Sequence, residues 1–511
     1  MDMPVRHPRP SASLVTAIGL VACVFALSGC MKLGPDYRRP NPAFDSPGQY
    51  QHADHAAPAP AYEDEWWTVF GDGRLNDLVD EALKNNLDLK QAADRILEVK
   101  AQFVQVRADR FPELTLQAEA QRRRQLATRS IPGISADRET TLYTLSFPAS
   151  FELDLWGRLA RSEEAARAQL LAATENRHTL AQSIVAETSG LYFRIESLER
   201  RIRINQRTVE NYEQNLSFVR SRYERGLVDV LNLVQARRAV SQAKSLLPGL
   251  QQELGTAQQA LSVLLGRYPE TGPARGQPEN YFQRLPPVPP GLPSDLLLRR
   301  PDIRAAEADL MALNARIGAA KASRFPRVAL TGSLGYTSDE LDRLFTPANH
   351  LWNIAMGLAQ PLFDAGRLEA AQAAAEARYD QGVTAYAKIV LDAFAEVEGA
   401  LLTRKKQLER RRLLLHFVDD AKRAYDISLE RYGRGVVDYL TVLDAQRSYL
   451  EAQENLVLAE LAILTNRVTL HRALGGGWGM VETAIEDTQT ETEQNPELGY
   501  KTDNPTTGHD R

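Results

Sequence analysis

The sequence predicts a mainly α-helical protein that carries a membrane β-barrel and is built from two copies of one unit. Three observations predict it. Glu430–Arg447 repeats Ser221–Arg238 at a constant offset of 209 residues (435 − 226). Long runs of apolar residues spaced by threes, fours and sevens lead into both copies. Four short segments alternate apolar and polar residues with period two.

The chain begins with a targeting pattern, residues 1–29. Arg6, His7 and Arg9 are basic, Leu14–Leu27 is apolar, and small residues precede Cys30. This is the pattern of a lipoprotein signal, with cleavage before Cys30 and lipid on its thiol. An ordinary secretory signal with a chance cysteine is the plainer alternative. Cys23 would leave with the signal, so the mature chain has no disulfide and no thiolate metal site. Residues 30–61 are rich in Pro, Ala and polar residues and read as an extended tether.

The first repeat, 62–266, opens at Trp66 and Trp67. Leu75, Leu78, Val79, Ala82 and Leu83 recur at helical spacing, and a longer helix runs from about Asp88 to Arg110. Strands follow at 113–121 and 141–154, with a charged loop between them. After Gly157 comes a very long helix to about Arg225. A tip turn, 225–229, then leads into a helix from about Val230 that stops at Gly266. Gly226 suits the left-handed position past a helix end, and Asp229 the cap of the next helix. Residues 267–293 form a Pro-rich connector.

The second repeat, 294–479, follows the same order. Strands are expected at 327–337 and 351–362. Gly435 and Asp438 occupy the places of Gly226 and Asp229 in the second tip turn, 434–438. Residues 480–511 are polar and acidic and read as a disordered tail.

One copy would not suffice. Four strands cannot close a barrel, and a membrane tolerates no open sheet edge. Small membrane barrels have about eight strands, so three chains supplying twelve would meet the need. The apolar strand residues Tyr143, Leu145, Phe147, Phe151, Trp352, Ile354 and Met356 would then face lipid. A soluble sandwich core is the competing reading.

Composition excludes other classes. Sixty-one basic against 66 acidic residues give no reason to expect a nucleic-acid partner. No nucleotide loop, nucleophile elbow or metal box is present, and the eight histidines show no ligand spacing. No cofactor and no enzyme activity are expected. Six scattered methionines argue against a dedicated copper or silver exporter.

Several pieces together resemble the outer-membrane efflux protein family, the TolC type, in its NodT/OprM lipoprotein branch. They are Leu27–Cys30, Gly34–Pro40, Trp66–Trp67, Leu292–Glu307, Arg324–Gly335 and Val436–Arg447. The resemblance implies a homotrimeric duct in the cell outer membrane, lipid-anchored and reaching into the periplasm. It implies a periplasmic adaptor protein and an inner-membrane pump of the resistance–nodulation–division class as partners, with drugs or other small molecules as cargo. It also implies a gate at the periplasmic tips, formed by Leu440 and Asp444, with Leu231 and Gln235 at the matching places of the first repeat. The alternative is that Leu440 is tip core and Asp444 a solvated face. Val437 stands where the arginine of a TolC-type tether would align. Gly226, Val228, Asp229, Gly435, Val437 and Asp438 would form the tip turns and meet the adaptor, or else pack as ordinary turns. Two other functions remain open. One is the exit duct of a type I protein secretion system. The other is a non-conducting coiled-coil spacer lipoprotein.

Overall fold

A computed structural model describes residues 32–40, 48–53, 65–125, 138–271, 288 and 296–476. The signal, Cys30, most of the connector and the tail from residue 477 lie outside them.

The helices are α1 (Gly73–Asn85), α2 (Leu87–Ala108), α3 (Arg158–Glu224), α4 (Val230–Leu264), α5 (Pro301–Ala322), α6 (Arg367–Gly433) and α7 (Tyr439–Ala473). The internal repeat is plain in their ends. Both α3 and α6 have 67 residues, and both α4 and α7 have 35. Starts and stops are displaced alike, since 367 − 158 and 473 − 264 are both 209. Pro248 sits inside α4, which the periodicity did not anticipate. No helix among the described residues is long and apolar enough to cross a membrane.

The chain forms two compact units. One contains the strands, with Ile96–Ala172 and Ala306–Tyr386. Its sheet is antiparallel, with β1 (Glu113–Leu114) and β2 (Gln117–Gln125) on β3 (Arg138–Leu153), then β4 (Arg327–Ser338), then β5 (His350–Ala359). β1 and β2 are one strand in register, broken at Thr115–Leu116. The break lies opposite Pro148, which accepts from the Thr115 N–H at 3.0 Å but has no N–H to return. The fourth strand ends at Ala359, short of the expected 362, because Pro361 cannot donate to a ladder.

Register fixes the faces. Phe147 pairs with Leu334 and Leu334 with Trp352; Phe151 pairs with Leu330 and Leu330 with Met356. Directly paired residues share a face, so one side is a continuous apolar sheet. It is open to its surroundings: Trp352 is 68% exposed, and Ile354 and Met356 are each 73% exposed. The opposite face carries Thr144, Ser150, Glu152, Thr331, Ser333 and Asn353. Among the described strands, β2 pairs only with β3, and β5 only with β4, so both sheet edges are open.

Residues 32–40 of the expected extended tether pack in this unit. The buried Arg161 donates to the carbonyls of Leu33 at 3.1 Å and Gly34 at 3.3 Å, and to Asp36 at 2.9 Å. Arg39 makes a two-pronged bond to buried Glu307, at 2.7 and 2.6 Å. Gly34 lies against Gly318; a Cβ on Gly34 would fall 2.4 Å from the Gly318 Cα.

The second unit is helical and also holds Pro42–Arg95. Here too part of the supposed tether is docked, with Tyr50 buried and Glu398 accepting from the backbone N–H of Gln51 and His52. Trp66, Trp67 and Phe70 pack on Val185, Phe193, Leu464 and Val468. Asp72 caps α1 through the N–H groups of Arg74 and Leu75 and also accepts from Tyr192 Oη. A second core joins Leu89, Ile184, Ile195, Leu250 and Leu261.

Candidate functional site

The far ends of the long helices meet in one apolar cluster of the helical unit. Tyr212, Val219, Leu233, Ala236, Val240, Tyr425, Tyr432, Tyr439, Val442 and Leu443 are buried together. Two turns close it.

In the first, Gly226 takes φ 71°, its N–H donates to Tyr223 O at 2.9 Å, and Leu227 N–H donates to Arg222 O. In the second, Gly435 takes φ 77°, with the same bonds to Tyr432 O and Arg431 O. The turns differ at the cap. Asp438 Oδ1 accepts from the Thr441 N–H at 2.9 Å and from its hydroxyl at 2.6 Å. Those two bonds hold the Asp438 carboxyl below the usual carboxylate range. Asp229 occupies the cap position but its carboxylate makes no cap bond. Asn232, which stands where Thr441 does, has no hydroxyl to give. Sequence symmetry overstated the symmetry of the two turns.

Val228 and Val437 are half-buried against the tip cluster. Their neighbours Leu227 and Val436 are the outward residues, 60% and 67% exposed. Tyr223 and Tyr432, equivalent by the repeat, part company as well: the first is exposed and the second buried.

Leu440 and Asp444 lie one turn apart on α7, both exposed. They line a groove with Tyr212, Leu443, Arg447 and, from α4, Arg238. Arg447 donates to Asp444 Oδ1 at 2.8 Å. The carboxylate of the expected gate therefore carries its own cation. Leu231 is exposed on α4 and Gln235 is half-buried.

One residue the sequence reading missed is Arg222. At the end of α3, its Nη1 donates to the carbonyls of Tyr432 at 3.2 Å and Gly433 at 3.1 Å. Both carbonyls lie at the C-terminus of α6, where a cation is favoured by the helix dipole. Asn215 adds a buried link, donating to Gln446 Oε1 at 3.2 Å and to Tyr425 Oη at 3.4 Å. Among the described residues no cluster of His, Cys, Asp and Glu could hold a metal ion.

A family model described as outer membrane efflux protein matches residues 78–267 and 292–476. The cation efflux system protein CusC of Escherichia coli O6:H1 (strain CFT073) is 35% identical over 460 residues, covering 89% of this chain and 98% of that protein. The solvent efflux pump outer membrane protein SrpC of Pseudomonas putida is 34% identical, covering 89% and 97%. Among solved structures, the outer-membrane channel OprN superposes with a TM-score of 0.81 at 30% identity, covering 88% of this chain and 99% of that one. The open state of the Neisseria gonorrhoeae MtrE outer membrane channel gives a TM-score of 0.76, also at 30% identity, covering 88% and 98%.

Proposed function

Because this chain belongs to the outer membrane efflux protein family, we propose that it is the outer-membrane exit duct of a tripartite pump, working as a trimer. The observation that carries this reading is the sheet, with one face apolar and exposed and both edges open. Three copies would join edge to edge, β5 of one to β2 of the next. That closes the backbone ladder, turns the apolar face to lipid and the polar face to a wet lumen. The duct is passive, and the inner-membrane pump supplies the energy.

The helix tips form the gate and the adaptor surface. Leu440 and Asp444, with Leu231 and Gln235 opposite, narrow the mouth. Gly226, Gly435 and the exposed Leu227 and Val436 present small and apolar surface to the adaptor. Lipid on Cys30 anchors the mature chain, and the docked Leu33–Arg39 segment holds that anchor to the strand unit. Cargo is small molecules. Relatives at 35% and 34% identity are named for cations and for solvents, which suits a duct whose pump selects what enters.

Purified full-length protein in a planar bilayer should give stable channels and should run as a trimer in detergent. A folded single subunit without conductance would leave the spacer reading in its place.

A further inference from the structure

The β2–β3 hairpin carries a feature that the duct does not need. The four-strand sheet ends where Ser338 pairs with Tyr143, opposite Ala120. Beyond that line Gln121–Gln125 pairs only with Arg138–Leu142, as a ribbon standing clear of β4 and β5. Along β1 and β2 the apolar face reads Leu114, Leu116, Ala118, Ala120 and then changes to Arg122 and Arg124. Arg123 lies on the other face.

The change comes at a definite depth. From Leu153 to Tyr143 the outward band is about 33 Å along the strand. At a tilt of about 40° this stands about 25 Å tall, the height of a lipid-facing apolar belt. Its upper end is aromatic, with Tyr143 at the rim, Tyr336 one outward pair below it, and Phe345 edge-on to Tyr336 at 5.5 Å. Such rings sit at headgroup level. Arg122, opposite Thr141, is then about 5 Å above the rim, and Arg124 about 10 Å above it. The strands join by the 126–137 and 339–349 connections at this end, and the helices leave from the other, so this rim faces the outer leaflet.

We infer that Arg122 and Arg124 bind the phosphate groups of the phosphorylated glycolipid that forms that leaflet. The inference rests on the membrane-barrel reading. Guanidinium groups hold phosphate by paired N–H donors, and their aliphatic stems can lie along the apolar band. Glu139 accepts from Arg122 Nη2 at 2.6 Å and steadies it, while the side chain remains 74% exposed. Arg124 follows on the same face of the ribbon, and its side chain is exposed as well.

The test uses the full-length trimer in detergent, with thermal dissociation followed by gel mobility. The probes are bis-phosphorylated lipid A, the same lipid dephosphorylated, and inorganic phosphate. Bis-phosphorylated lipid should raise the dissociation temperature by several degrees, and the other two should not. R122Q/R124Q should lose most of that rise, R122K/R124K should keep part of it, and R123Q should keep it whole. Bilayer conductance of each variant checks the barrel separately. Conducting R122Q/R124Q with an undiminished lipid effect overturns the inference, as does an equal response to dephosphorylated lipid. A double variant that dissociates at a lower temperature without any lipid, and still responds to lipid, would assign these arginines to the contact between copies.

Discussion

Arg222 lies over the ring of Tyr432, 5.1 Å from its centroid, and donates to the carbonyl oxygen of the same residue. It also lies 5.7 Å from the Phe218 ring. One guanidinium thus ties the last turn of α3 to the last turn of α6. The link comes from the first repeat and runs through backbone acceptors. Val437, in the second repeat, has no such chemistry.

Replacing Arg222 with Ala should loosen the tip. The loss of a charged donor to two helix-end carbonyls is worth about 1–2 kcal/mol per copy. Single-channel recordings should show larger or longer openings, with trimer stability in detergent little changed. Tyr432→Phe should leave gating as it was, since the tyrosine hydroxyl has no partner among the described residues. If R222A channels match the wild type in open time and conductance, the latch is not at Arg222.

The sheet makes a second prediction. Ile354 pairs with Gly332, midway up the apolar band, and is 73% exposed. An arginine there would sit near the membrane midplane and cost about 2–4 kcal/mol per copy. Ile354→Arg should sharply reduce folded trimer in the membrane fraction. Asn353→Arg, next in sequence but on the polar face, should assemble normally and alter conductance instead. Equal assembly of the two variants would contradict the assigned faces.

These two predictions differ in how far the sequence could have made them. Alternation from Tyr143 to Leu153 displayed the outward face directly, because strand period and side-chain direction are the same fact. The break opposite Pro148 could not be read, since it needs the pairing partner. Arg222 was hidden differently. The second repeat has Arg431 at the same place, and only tertiary packing decides which of the two reaches a neighbouring helix end. Arg447 was legible, since it stands three residues from Asp444 on one helix. The docked Asp36 and Tyr37 were out of reach, because their partners lie 125 and 270 residues away.

Acid should weaken the helical unit through His471. Its ring stacks on Trp66 at 5.0 Å, and its Nε2 is buried without a partner among the described residues. Burial, with repulsion from Arg467, holds the imidazole down at about 3. An unfolded chain takes up that proton near pH 6.5, roughly the ordinary value. Stability is therefore unaffected above that point and falls as pH drops toward 3, by at most about 1.4 kcal/mol per pH unit. His471→Phe keeps the stack and removes the proton site. Its melting temperature should fall less than that of the wild type between pH 7 and pH 5. Parallel curves for the two proteins would show that His471 takes up its proton alike in the folded and the unfolded chain.

Asp444 and Arg447 make the sharpest test of the gate. Both are well exposed, 70% and 74% at the side chain, so their pair is weak and salt can break it. Three copies around an axis would bring three such pairs into one mouth. Removing Arg447 bares three carboxylates, so Arg447→Ala should raise the preference for cations at low salt. Asp444→Ala leaves three arginines and takes away the narrowing carboxylates. It should raise single-channel conductance and swing selectivity toward anions. With both residues changed to Ala the conductance should stay high and the selectivity should be slight. That pattern separates width, which follows Asp444, from charge, which follows the balance of the two. If D444A conducts like the wild type at matched insertion, Asp444 is a solvated helix face, and the gate must be sought at Leu440 and Arg222.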